Sequence, residues 1–199
     1  SMSLQQEKVN QALGILNEQS IDVWLTFVRE TSGVRDPVLD LLIGPNDLTW
    51  ESALILTRWG DKIAIVGNLE KEAVRRLGVF SEIYGYDKSV RDLLRDTLTR
   101  LNPARVAVNT SRNNVHADGL THACYEMLKE YLAGTPYANQ LISAEAVINS
   151  LRGRKTPTEQ ALIRRAVEIT EEIFQKTFAF IKVGMTESQV ADHMHGLMK

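Results

Sequence analysis

Residues 149–199 read NSLRGRKTPTEQALIRRAVEITEEIFQKTFAFIKVGMTESQVADHMHGLMK, and this stretch organises the interpretation of the whole chain. The TPTE motif that begins at Thr156 has the form of a capping box, in which the Thr hydroxyl and the carboxylate of Glu159 satisfy backbone N–H groups at a helix start. Pro157 falls at the first helical position, where its missing N–H costs nothing. Gly184 is suited to the left-handed residue that ends a helix. The stretch therefore predicts a long helix that begins at Thr156.

The predicted helix is amphipathic when its residues are placed at intervals of about 100°. About half of its circumference is apolar, and the residues of that half are Leu162, Ile163, Ala166, Val167, Ile169, Ile173, Phe174, Phe178, Phe180 and Ile181. A second capping box at 186–189 (TESQ) opens another helix, whose pattern continues to the last residue. Since a long amphipathic helix gains most of its stability from packing, we expect these helices to begin a second domain that further chain would complete.

Strand-like and helical patterns alternate before this stretch. Strands are predicted at 21–28, 52–57, 62–66, 82–86, 105–109 and 140–143, and helices at 4–18, 37–43, 70–77, 90–101 and 118–132. Gly60 and Asp61 separate two of the strands and suit a tight hairpin. A hairpin followed by alternating strands and helices predicts a three-layer α/β domain, in which a mixed β-sheet is flanked by helices on both faces.

The clearest boundary in the sequence is a short segment where charge, glycine and proline cluster. We therefore assign 3–151 to the α/β domain, 152–156 to a linker, and 157–199 to the first helices of the second domain. No internal repeat and no low-complexity segment interrupts this organisation.

Composition and charge narrow the classes of function. The chain is 44% hydrophobic and 24% charged with a net charge of −2, so no basic field favours a nucleic acid or an anionic membrane as partner. No apolar run approaches the ~20 residues of a membrane span. Cys124 is the single cysteine, so an internal disulfide is excluded. A single cysteine also fits a reducing cytoplasm. Cys124 lies on the apolar face of a predicted helix, where we expect a buried thiol.

The stretches LRGRKTPTEQALIRRAVEI (151–169) and VGMTESQVADHM (183–194) resemble the domain junction of the creatinase/prolidase/aminopeptidase P family of metallopeptidases. In that family a basic Thr/Ser-Pro-x-Glu linker joins an N-terminal α/β domain to a catalytic domain of the "pita-bread" fold. Residues 21–27 and 52–66 resemble the N-terminal domain more loosely. The resemblance implies a creatinase-like N-terminal domain followed by two helices of a pita-bread domain that is incomplete in this chain.

The resemblance also implies two divalent metal ions, Mn, Co or Zn, which activate a water for amide hydrolysis. The family's metal ligands lie downstream of the junction helices, so we expect no metal in this chain and no peptidase activity from it alone. His193 and His195 do not change this expectation, because residues two apart on a helix point about 200° away from each other. We interpret these two residues, together with His116 and His122, as ordinary surface or packing histidines.

Candidate substrate contacts lie in the polar loop 29–36. Loops of this domain in the family reach the active-site cleft of a neighbouring subunit, and here the equivalent residues are Arg29, Arg35 and Asp36. A guanidinium group is well shaped for a peptide carboxylate, but solvated arginines with a local carboxylate partner are the simpler interpretation. The family's Asn-x-x-Tyr-Leu-Thr-Gly-like segment is reduced at 35–44 to its apolar character and a turn glycine, which leaves the substrate open.

The resemblance implies that the chain is the assembly and access-control part of an Xaa-Pro metallopeptidase, of the aminopeptidase P or prolidase type. We expect a homodimer, short proline-containing peptides as substrates, and no nucleic-acid or membrane partner. Two alternatives stay open. One is a relative without metals that binds peptides or protein tails, and the other is a creatinase-like hydrolase of a small amidino acid.

Overall fold

A computed structural model describes all residues, 1–199, and divides them into two compact units, Ser1–Arg154 and Lys155–Lys199. The six strands are β1 (Val23–Val28), β2 (Ser52–Thr57), β3 (Lys62–Gly67), β4 (Glu82–Tyr86), β5 (Val106–Val108) and β6 (Leu141–Ser143). The eight helices are α1 (Leu4–Glu18), α2 (Leu39–Leu42), α3 (Lys71–Arg76), α4 (Arg91–Leu101), α5 (His122–Tyr131), α6 (Glu145–Gly153), α7 (Pro157–Phe180) and α8 (Glu187–Leu197). None of these helices combines the length and the apolar composition that a membrane crossing requires.

The strands of the first unit form one mixed sheet in the order β4-β3-β2-β1-β5-β6. β2 pairs antiparallel with both β1 and β3, whereas β1–β5, β3–β4 and β5–β6 pair parallel. The β2–β3 connection is the expected hairpin, and Gly60 supplies the positive φ of its turn (φ 103°). Five strands therefore run in one direction and only β2 runs in the other.

Two apolar cores enclose the sheet, because alternate residues of each strand point to opposite faces. In β1, Trp24 and Val28 pack into one core with α1, α2, α3 and α6. Leu25 and Phe27 pack into the other core with α4 and α5. Cys124 lies in the second core and is 3% exposed, so the prediction of a buried thiol is confirmed. The three-layer α/β fold predicted from the sequence is also confirmed.

Several helix boundaries differ from the sequence prediction by one to four residues, and specific contacts explain two of these differences. The helix predicted from Asp118 begins only at His122, because the hydroxyl of Thr121 accepts the Cys124 N–H as an N-cap. The sequence assigns residues 152 and 153 to the linker, but they form the last turn of α6. Lys8, which is buried, donates from Nζ to the carbonyl oxygens of Leu151 (2.6 Å) and Arg154 (3.0 Å). A cation at these carbonyls stabilises the helix end, which explains the extra turn.

The second unit consists of α7 and α8. Both predicted capping boxes are present, one between Thr156 and Glu159 and the other between Thr186 and Gln189. The expected role of Gly184 is wrong in detail: α7 ends at an extended Ile181, and Gly184 supplies a positive φ (96°) in the turn that precedes α8.

The apolar side of α7 is exposed over most of its length, with exposed fractions such as 58% at Leu162, 48% at Phe174 and 72% at Phe178. A contiguous apolar surface of this kind is typical of one that packs against further protein.

Candidate functional site

The carboxyl ends of five strands meet at one edge of the sheet. The loops that follow β1, β3, β4, β5 and β6 all emerge there, and β2 begins there. In open α/β sheets ligands bind outside the carboxyl ends of the strands, at the point where neighbouring connections leave toward opposite faces. Here that point lies between β1 and β5. After β1 the chain continues to α2 on one face, and after β5 it continues to α5 on the other.

A cleft of about 370 Å³ opens at this point. We call it the switch cleft; its walls include Phe27, Arg29, Glu30, Asp36, Gly119 and Thr121. The first four residues come from the end of β1 and its loop, and the last two from the segment between β5 and α5. The cleft therefore lies where the topology predicts a ligand site.

Asp36 belongs to a buried hydrogen-bonded network beside the cleft. Trp24 donates from its indole Nε1 to Oδ1 of Asn109 at 2.7 Å. The amide nitrogen of Asn109 donates to Oδ2 of Asp36 (2.9 Å) and to the hydroxyl of Thr26 (3.1 Å). Since an indole can only donate, it fixes the orientation of the Asn109 amide, and the amide nitrogen then requires an acceptor at Asp36.

The second oxygen of Asp36 accepts the backbone N–H of Val38 at 2.9 Å, which holds the loop against the sheet. Burial raises the pKa of Asp36 above its ordinary value, while the hydrogen bonds from Asn109 and Val38 and the charge of Arg152 act in the opposite direction. Gly119 leaves room for the carboxylate: a Cβ atom at this position would lie 2.1 Å from Cγ of Asp36. Asp36 is thus a fixed acceptor that ties the two loops of the cleft together.

Arg35 does not line the switch cleft, and its guanidinium group binds acceptors within its own loop. It donates to Oδ1 of Asp40 (3.1 Å), to Oδ1 of Asp47 (2.9 Å), to the carbonyl of Asn46 (2.8 Å) and to the carbonyl of Gly44 (2.5 Å). These four acceptors occupy much of the guanidinium fork. Of the three candidate residues from the sequence, Arg29 and Asp36 meet at the cleft, and Arg35 serves the loop.

Glu30 has a strained backbone at the mouth of the cleft. Its φ of 42° lies in the left-handed region, which costs a residue with a side chain about 1–2 kcal/mol. Its carbonyl accepts the Gly33 N–H (2.9 Å), and its own N–H donates to the Thr49 carbonyl (2.9 Å). Strain of this kind concentrates at functional sites. The sequence offers Glu30 only as a local carboxylate partner for the loop arginines, and it does not predict this conformation, since nothing local marks a left-handed glutamate.

A second cavity lies at the same edge and is not predicted from the sequence. It is lined by Trp50 and Glu51 before β2, Tyr86 and Asp87 at the end of β4, and Tyr131 of α5. Two aromatic–acidic pairs in the sequence could have indicated this cavity, namely Trp50 with Glu51 before β2 and Tyr86 with Asp87 at the end of β4, because both pairs lie at the same edge of the sheet.

The histidines do not form a metal centre. His193 stacks on Phe180 with ring centroids 3.8 Å apart, as a packing residue would. No group of three or more His, Cys, Asp or Glu side chains in the chain could hold a metal ion. The residues present therefore do not fit the two metal ions that the family resemblance implies.

The first unit has the fold of the N-terminal domain of an Xaa-Pro dipeptidase. When both units are compared, the chain resembles about half of longer peptidases. The N-terminal domain of the Xaa-Pro dipeptidase from Lactobacillus brevis is covered over 98% of its length by 72% of this chain (TM-score 0.51, 16% identity). The Xaa-Pro dipeptidase from Bacillus anthracis matches 98% of this chain (TM-score 0.59, 18% identity), and the match covers 48% of that protein. The dipeptidase PepE from Mycobacterium ulcerans matches 98% of this chain (TM-score 0.60, 19% identity) and is covered over 49%.

Among curated sequences, an uncharacterized peptidase of Staphylococcus aureus is 24% identical over an alignment of 197 residues, and the match covers 96% of this chain and 49% of that protein. The chain thus spans about half the length of the curated relative that it matches. No family model matches the chain. Because the sequence identities are low, the comparisons confirm the fold that the family resemblance implied and do not by themselves establish an activity.

Proposed function

We propose that this chain is the N-terminal part of an Xaa-Pro peptidase, of the aminopeptidase P or prolidase type, and that it controls assembly and substrate access. The observation that carries the proposal is the extent of the structural likeness. It covers the α/β unit and both junction helices, and it reaches proteins that are named Xaa-Pro dipeptidase and X-Pro aminopeptidase.

In this proposal the peptide bond is hydrolysed outside the present residues. Two divalent metal ions held by residues beyond this chain would activate the attacking water. The contribution of this chain is geometric. Its α/β unit would form a homodimer and place the loop 29–36 beside the substrate channel of the partner, so that only short peptides enter. The protein would act in the cytoplasm, in agreement with its single unpaired cysteine.

Arg29 is the residue of this loop that is free to meet a peptide. It lines both cavities of the carboxyl edge and is exposed, so its guanidinium group can bind a carboxylate in a bidentate geometry. Arg35 cannot do so without releasing the acceptors of its own loop. The proposal therefore assigns the carboxyl terminus of a short peptide to Arg29.

The test is hydrolysis of an Xaa-Pro dipeptide and an Xaa-Pro tripeptide by the longer protein that contains this chain, with Mn²⁺ or Co²⁺ and again with a chelator. We expect metal-dependent cleavage by the longer protein and none by the 199-residue chain. Arg29→Gln should raise KM more than it lowers kcat, whereas the exposed Arg76→Gln should change neither. Absence of both cleavage and bound metal would refute the peptidase proposal and favour the peptide-binding relative.

A further inference from the structure

The second cavity of the carboxyl edge has a volume of about 440 Å³. We call it the aromatic pocket; it is lined by Trp50, Glu51, Tyr86 and Tyr131, with Glu30 and Asp87 also at its walls. The phenol of Tyr86 donates to the Glu51 carbonyl at 2.8 Å, and the phenol of Tyr131 donates to Oε2 of Glu51 at 2.7 Å. One residue, Glu51, therefore fixes both tyrosine rings.

The tryptophan of the pocket is equally well fixed. The two oxygens of Glu70 accept the backbone N–H groups of Thr49 (2.8 Å) and Trp50 (2.9 Å). The indole packs on Gly67, where a Cβ atom would lie 2.2 Å from the ring. Its centroid is 5.8 Å from that of Tyr86 at an interplanar angle of 43°. Three aromatic side chains are thus held in place before any ligand arrives.

An acidic residue, Glu51, lies among the aromatic rings of the pocket. Oε2 of Glu51 accepts the Tyr131 phenol, and Oε1 makes no hydrogen bond within the chain. Burial and then Glu51 raise the pKa of Tyr131 to about 12, and the same two causes raise the pKa of Tyr86 above its usual range. Both phenols therefore stay neutral at physiological pH, and Glu51 is the acidic residue that contacts these rings.

Two cations also belong to the walls of the pocket. Arg29 and Lys88 are both exposed. Against them stand three acidic side chains, Glu30, Glu51 and Asp87, so the walls of the pocket carry one net negative charge. Asp87 is partly engaged, since it accepts the Asn68 amide at 2.6 Å.

The strained residue Glu30 shares this pocket. Its left-handed backbone (φ 42°) places an acidic side chain where glycine would be the unstrained choice. Glu30 lines the same pocket as Oε1 of Glu51 and three aromatic rings. Together these groups form a surface that suits a positive charge. Aromatic faces and carboxylates together are the environment that binds organic ammonium groups.

We propose that the aromatic pocket binds an organic ammonium group, with Trp50 and Tyr86 against the cation and with Glu51 and Glu30 as its charge partners. The ligand class is an amine that is protonated or fully methylated, such as a peptide amino terminus, a lysine side chain or a quaternary amine. This inference concerns the 199-residue chain alone and does not depend on the peptidase proposal.

The test is a titration of the chain with tetramethylammonium chloride and, separately, with butylammonium chloride, followed by the indole signals in ¹H–¹⁵N NMR. The three tryptophans provide an internal control. Trp50 lines the pocket, Trp24 is buried in the network with Asn109, and Trp59 lies in the β2–β3 hairpin at the opposite edge of the sheet. We expect saturable shifts of the Trp50 signal alone. A stronger response to tetramethylammonium indicates a methylated amine, and a stronger response to butylammonium indicates a primary amine.

Variants test each group that the proposal assigns to the cation. Glu51→Gln keeps an acceptor for Tyr131, and Tyr86→Leu removes one ring; each should weaken binding by about 2- to 30-fold. Glu30→Gly should weaken binding while the chain stays folded, because glycine accepts the left-handed backbone. Ser20→Gly is the matched control: Ser20 has φ 56° at the opposite edge, and its replacement should leave binding unchanged.

Sodium butyrate at the same ionic strength tests the opposite charge preference. Equal or stronger shifts with butyrate would show that Arg29 and Lys88 dominate the pocket and would overturn the proposal. Unchanged affinity in both Glu51→Gln and Glu30→Gly, with the Trp24 signal at its native position, would overturn it as well.

Discussion

Replacement of Gly119 by alanine should damage the fold through a single contact. The new Cβ atom would lie 2.1 Å from Cγ of Asp36, and 2.3 and 2.4 Å from its two oxygens. Carbon atoms in contact are normally about 3.5–4.0 Å apart, so one partner must move by more than ~1 Å. Asp36 cannot move without loss of its hydrogen bonds to Val38 and Asn109, both 2.9 Å long.

Two costs set the size of the effect. Overpacking of a well-packed interior costs about 1–3 kcal/mol, and a buried donor left without an acceptor costs about 1–3 kcal/mol. We therefore expect Gly119→Ala to lower the free energy of unfolding by the sum of these costs, about 2–6 kcal/mol. Urea unfolding followed by circular dichroism and tryptophan fluorescence measures this quantity. Gly14→Ala is the matched control. Gly14 lies within α1 with no atom within 4 Å of an added Cβ, so alanine there should stabilise by about 0.5–1 kcal/mol.

A double variant tests the assigned cause. Asp36→Ala removes the atoms that the added methyl group would meet, so Gly119→Ala should cost less than about 1 kcal/mol in that background, in place of its full effect. The reasoning is refuted if the free energy of unfolding of the Gly119→Ala variant lies within about 0.5 kcal/mol of that of the parent chain while Gly14→Ala behaves as expected. That result would mean that the carboxylate of Asp36 is not held in place.

Three further outcomes are expected. Because the pKa of Asp36 is raised in the folded chain, its protonated form is favoured by folding, so the contribution of Asp36 to stability decreases as the pH rises from about 4 through the raised pKa. Asp36→Asn should remove this part of the pH dependence in unfolding measured from about pH 3 to 7, and an unchanged slope would contradict it. Arg35→Ala should lower the free energy of unfolding by about 1.5–3 kcal/mol, against less than about 0.5 kcal/mol for the exposed Arg76→Ala. The apolar side of α7 should cause concentration-dependent association in sedimentation velocity, which Phe178→Glu should weaken, and a monomer at high concentration would count against it.

Much of the fold could be predicted because its signals are local. The starts of α7 and α8 follow from hydroxyls and carboxamide or carboxylate groups three residues apart, which cap the same helix turn. The strands β2 and β4 match their predicted bounds, since apolar and β-branched runs end at turn residues. The boundary of α6 was not predictable in this way, because the buried Lys8 that completes its last turn lies far away in the sequence.

The candidate site was predictable only in part. The polar composition of the loop 29–36 marks it in the sequence, and Arg29 and Asp36 do meet at the switch cleft. The sequence could not show that Arg35 binds its own loop and does not line the cleft, since it contains no signal that distinguishes Arg35 from Arg29. Its four acceptors extend from Asp40 to Asp47, and only the folded loop brings them to one guanidinium group.

The amino-acid sequence by itself determined the capped starts of α7 and α8, the bounds of β2 and β4, the three-layer α/β class, and the likeness to the Xaa-Pro peptidases. It could do so because capping, periodicity and turn chemistry act between residues a few positions apart. The tertiary structure alone decided which loops share an edge of the sheet. The strand order β4-β3-β2-β1-β5-β6 places Asp36 beside Asn109 and Gly119, and Trp50 beside Tyr86. Those contacts join distant segments, so they arise only when the two cores on either side of the sheet are packed.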